Sequence, residues 1–87
     1  MEKSIVTVMD NLAILSQKKG LQAGMALTIL DNLENLLEIE DDQGFEAIAR
    51  DLEALAFVVT IARDAVADPV YKQVFEETIK FLEKRLR

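Results

Sequence analysis

FEAIARDLEALAFVVTIARDAV, residues 45–66, carries the pattern that decides the fold. Within it Phe45, Ile48, Leu52, Leu55, Val59, Ala62 and Val66 recur in alternating steps of three and four. That spacing keeps side chains on one side of an α-helix. Three heptads of it form a seam suited to the shallow crossing of antiparallel bundles. The same stretch holds a second apolar group, Phe57, Val58, Ile61 and Ala65. A helix apolar on two sides is either central in its fold or shared with a partner. The spacing predicts this helix over about residues 44–67.

Downstream, ADPVYKQ (67–73) is a helix start: Asp68 supplies a capping oxygen, and Pro69 fills a first position whose N–H needs no partner. Val70, Val74, Phe75, Ile79, Leu82 and Leu86 are the expected buried side of a helix over 69–86, with Lys80, Lys84, Arg85 and Arg87 favouring its carboxyl end. Upstream, Met25, Ile29, Leu33 and Leu36, widened by Ala26, Leu30 and Leu37, stripe a helix over 21–40. LENLL at 33–37 resembles a helix-docking pattern, but its spacing is that of a buried face. Gly24 interrupts this helix at a cost of about 1 kcal/mol relative to alanine, which predicts close approach of a neighbouring helix, with a bend as the alternative. A first helix over 4–18, capped by Ser4, carries Met9, Leu12 and Leu15, and Gly20 follows where a left-handed cap belongs. Almost no period-2 alternation argues for strands. Short connections make sequential helices antiparallel, so the fold class is all-α: one domain over 1–87, an up-down four-helix bundle.

Between the second and third helices lies EIEDDQGFE, residues 38–46, with Glu38, Glu40, Asp41, Asp42 and Glu46 in nine positions. A calcium loop needs oxygen ligands at its first, third, fifth and twelfth positions and Gly at the sixth. With Gly44 sixth, the first position holds Ile39, the fifth Gln43 and the twelfth Arg50, so the template fails at its two ends. The turn has a structural reading instead: Asp41 or Asp42 caps the third helix, and Glu46 sits in its first turn. Glu38 and Glu40 fall at a helix carboxyl end, where negative charge is disfavoured. An up-down topology brings Lys84, Arg85 and Arg87 to the same end of the bundle to compensate them.

Charge follows the same division. Sixteen acidic against ten basic residues give a net charge of −6. Eleven acids against two arginines make residues 31–68 strongly negative, between two faintly basic ends. Such a surface repels phosphate backbones, which excludes nucleic acid as the expected partner. With no histidine or cysteine there is no soft-metal site, ferritin-type carboxylate centre, thiolate or imidazole base. The Asp-Ser-Leu motif on which acyl carrier proteins hang their prosthetic arm is absent, since the serines lie in EKSIV and ILSQK. No carboxylate interrupts an apolar stripe where burial could tune its pKa. Tyr71 reads as an aromatic at the core's edge. No catalytic residue, metal or cofactor is therefore expected.

The longest nearly unbroken apolar run, ALAFVVTIA at 54–62, falls well short of the about 20 residues that cross a membrane, and MEKSIVTVMDN lacks the features of a secretory leader. The expected location is the cytoplasm. Yet 51% of the chain is hydrophobic, more than one small core comfortably covers. The expected function is a non-catalytic interaction module that self-associates, or binds a partner protein, through Phe57, Val58, Ile61 and Ala65. The alternatives are a peripheral lipid-contacting helical protein and an acidic inhibitor that covers a basic site through the 38–46 turn.

Overall fold

Ser4 starts the first helix: its hydroxyl accepts the Thr7 amide at 3.2 Å, satisfying one of the N–H groups a helix start leaves unpaired. In the computed structural model, which describes residues 4–87, α1 spans Ile5–Ser16, α2 Leu21–Gln43, α3 Ala49–Ala65 and α4 Pro69–Arg85. Among the described residues there is no strand. Asp68 begins α4 as its sequence predicts, with its carboxylate accepting the Val70 amide at 2.8 Å and Pro69 in the first turn.

The helices form an antiparallel four-helix bundle. α3 packs most extensively on α4 and α1 on α2, while α1 against α4 and α2 against α3 close the ring. The long axis of 35 Å matches α2, whose 23 residues rise about 34 Å. Two cross-chain contacts fix the directions. Tyr71, at the start of α4, donates its phenol O–H to the Leu15 carbonyl at the end of α1, at 3.4 Å. Arg85, at the end of α4, pairs with Glu40 near the end of α2.

The seam read from 45–66 is the spine of the core. Ile48, Leu52, Leu55, Val59, Ala62 and Val66 are all buried. They join Val8, Leu12 and Leu15 of α1, Ile29, Leu33 and Leu36 of α2, and Val74, Phe75, Ile79 and Leu82 of α4 in one hydrophobic cluster. Leu33 and Leu36 of the LENLL segment therefore belong to the core. Thr78, also fully buried, satisfies its hydroxyl on the Val74 carbonyl at 2.8 Å within its own helix.

Several details differ from the sequence expectation. α1 stops at Ser16, and Lys18 and Lys19 lie beyond it in the connection. Gly20 does have positive φ (+104°), but its ψ of 178° is extended, and it precedes α2 directly instead of capping α1. α2 continues through Asp41, Asp42 and Gln43, so neither aspartate caps the third helix. The chain turns at Gly44 (φ +90°), makes a 3₁₀ turn over Phe45–Ala47, and enters α3 from Ile48 with no side-chain cap. That short turn leaves Phe45 37% exposed at the open end of the seam. Val70, expected on the buried side, is 54% exposed, and Tyr71, expected at the core's edge, is buried. One helical step, about 100°, separates the two, and the buried stripe of α4 runs through Tyr71, Val74, Phe75, Thr78 and Leu82. Tyr71 is consequently a core residue, its ring meeting Phe75 edge-to-face at 6.1 Å.

Gly24 is the clearest correction. It lies exposed within α2, and a Cβ built there meets nothing within 4 Å, so no helix approaches it. Gly24→Ala should therefore stabilise the bundle by about 0.5–1 kcal/mol in chemical denaturation; a loss of stability would mean a neighbour packs on that backbone. Leu52→Ala, in the middle of the fully buried seam, should cost about 2–5 kcal/mol by the same measurement.

Candidate functional site

α3 has two sides of different fate. Its seam faces the core, and Phe57 stands almost diametrically opposite, since successive residues turn by about 100° around the axis. Phe57 is 68% exposed, Ile61 54% and Val58 49%. Ala54 and Ala65 are exposed beside them. The four residues expected to form an apolar contact face, Phe57, Val58, Ile61 and Ala65, are thus together on the outside of the bundle. α1 does not cover them: it packs on α2 and α4, with Val8, Leu12 and Leu15 directed into the core.

Other large apolar side chains are exposed as well, at Val6 and Ile14 of α1, Leu21 and Leu27 of α2, and Val70 of α4. None of these stands three, four or seven residues from another in its helix, whereas Phe57, Val58 and Ile61 do. Isolated exposed apolar residues are ordinary, and the stripe on α3 differs from them in being contiguous.

On its α4 side the stripe borders a shallow groove lined by Phe57, Ala56, Thr60 and Ile79 together with Glu53 and Glu83. Arg50 lies at one end of this face, exposed and with no ion pair among the described residues. At the other end Arg63 reaches across to α4, its guanidinium donating to Glu76 at 2.5 Å and to Asp64 at 3.2 Å. The hydrogen bond to Glu76, and then that to Asp64, hold the Arg63 pKa above its ordinary value. This arginine is committed within its own chain, and it joins α3 to α4 at the edge of the face. The flanking charges were missed in the sequence because they lie outside the apolar steps; the signal was the seven-residue spacing of Arg50, Phe57 and Asp64.

The acidic stretch is placed differently. Glu38 is exposed, and Asp41 and Asp42 are exposed in the last turn of α2; Glu46 is exposed in the 3₁₀ turn. Among the described residues, no three carboxylates are grouped to hold a metal ion. Glu40 is the exception to this exposure. Its side chain is mostly buried and pairs with Arg85, whose guanidinium also lies 6.0 Å from the centre of the Phe81 ring. A basic residue of the chain's end thus meets the acidic end of α2, as the topology predicts. Among the described residues, no helix is long and apolar enough to cross a membrane.

Comparison with protein-family models, curated proteins and solved structures finds no match to this chain.

The placement separates one structural carboxylate from its neighbours. Glu40→Gln should lower stability by about 1 kcal/mol, and a double-mutant cycle with Arg85→Met should return a coupling of similar size. Asp41→Asn and Asp42→Asn, each removing a negative charge from a helix carboxyl end, should leave stability unchanged or raise it by about 0.3–1 kcal/mol. Equal losses at all three positions would contradict this division.

Proposed function

We propose that the chain is a non-catalytic helical interaction module of the cytoplasm that self-associates through the outer face of α3. The observation that carries the reading is Phe57, turned directly away from the buried seam, 68% exposed, and in line with Ile61 at helical spacing. Exposing a large aromatic at the middle of an apolar stripe opposes the hydrophobic driving force, and covering it with a like surface relieves that cost. The partner must bring apolar area rather than charge. Most of the chain's acid lies elsewhere: residues 31–46 carry seven carboxylates and no base, while α3 itself, with Arg50, Asp51, Glu53, Arg63 and Asp64, is nearly neutral. Two copies can therefore meet at α3 with their acidic ends apart.

One face of a 17-residue helix offers less than the about 800 Å² per partner of tight complexes, which points to association in the micromolar range. Sedimentation equilibrium should give twice the 9.8 kDa chain mass at micromolar concentrations. Phe57→Glu should weaken association more than about a hundredfold while leaving the helical circular dichroism unchanged. A single-chain mass at every concentration would overturn the reading.

A further inference from the structure

Arg50, Phe57 and Asp64 are spaced seven residues apart, so they fall on one line along the outer face of α3, with opposite charges equidistant from the aromatic ring. All three are exposed. From this juxtaposition, and resting on the self-association proposed above, we infer that two copies pair their α3 helices antiparallel, about a two-fold axis passing beside Phe57. Arg50 of each copy then meets Asp64 of the other.

The symmetry follows from the sequence itself. In RDLEALAFVVTIARD, residues 50–64, an Arg-Asp pair stands at each end and Phe57 is the central residue. Reversing one copy about Phe57 lays Arg50 against Asp64 twice over, because a two-fold interface repeats every contact. A parallel pairing in register would instead set each charge against its own kind. Arg50 enters without an ion pair among the described residues. Asp64 accepts from Arg63 through Oδ1 alone, leaving Oδ2 open to the second copy. Arg63, held by Glu76, supports Asp64 from behind and is not required to move. Between the charged ends, Ala54 and Ile61 lie on one side of Phe57, with Val58 beyond them, and supply the apolar contact, while Glu53 and Thr60 border the ring on its other side. The arrangement assigns separate tasks: the stripe supplies affinity, and the paired ends choose orientation and register.

Charge exchange tests the pairing. Arg50→Asp and Asp64→Arg, each alone, should weaken dimerisation about tenfold, and the chain carrying both substitutions should recover it. The chain has no cysteine, so a second test is unambiguous. Arg50→Cys and Asp64→Cys chains, mixed and oxidised, should link to each other. Neither should link to itself, because positions 50 of an antiparallel pair lie about 21 Å apart by helical rise, beyond the about 7 Å that a disulfide spans. Self-linking of the Arg50→Cys chain would show a parallel pair and overturn the inference. Loss of dimer with Phe57→Glu, with no effect of the charge substitutions and no mixed disulfide, would overturn this register while the self-association reading stands. A wild-type chain that stays monomeric would remove both.

Discussion

A helix in a four-helix bundle can turn only one side to the core, and α3 is apolar on two. The remaining assignments depend on that constraint. Ile48, Leu52, Leu55, Val59, Ala62 and Val66 occupy the inner side and leave no room there for Phe57, Val58 or Ile61. Because α1 is committed to α2 and α4, no other helix among the described residues reaches round to hide the outer side. Part of the surplus of hydrophobic residues in this small chain is therefore displayed as a stripe on the outer side of α3, while the remaining exposed apolar residues are scattered over the other helices.

Polar contacts at the two ends of the bundle hold the frame on which that stripe is displayed. At one end the Tyr71 phenol reaches the last turn of α1, and at the other Arg85 reaches Glu40 of α2. Both involve α4, so α4 ties the two earlier helices to the α3 side of the molecule. Arg63 and Glu76 add a link between α3 and α4 along the edge of the exposed face. Each is worth little alone, since part-exposed ion pairs and single hydrogen bonds contribute about 1 kcal/mol. Their shared effect is on geometry: they set how α4 sits against α1, α2 and α3.

Much of this frame was legible in the sequence. The seam of α3, the Asp68–Pro69 start of α4, the Ser4 cap and the meeting of the acidic end of α2 with the basic end of the chain all follow from spacing, capping chemistry and topology. What misled was local. Gly24 suggested a close helix approach, yet the position faces solvent, where glycine carries no packing information. Asp41 and Asp42 have strong capping propensity, but α2 continued through them to Gly44, where positive φ ends the helix without a side-chain cap. Val70 faces out instead of in, and Tyr71 lies in the core rather than at its edge, because a one-residue difference rotates a helix by about 100°, and apolarity alone does not fix the phase at a helix start. The outer face of α3 was readable as a stripe. The charges that frame it were not, because their meaning depends on knowing that they line up with Phe57 on an uncovered surface.

The central claim is that this stripe, and not the scattered apolar residues of the other helices, is covered when copies meet. Its most direct test is a titration of ¹³C-methyl spectra with a soluble paramagnetic probe at low and high protein concentration. As concentration rises, the Val58 and Ile61 methyls should lose the broadening the probe causes, while those of Val6, Ile14 and Leu21 keep it. If all five residues stay equally accessible to the probe at every concentration, the outer face of α3 is not a contact surface between copies and the account is contradicted.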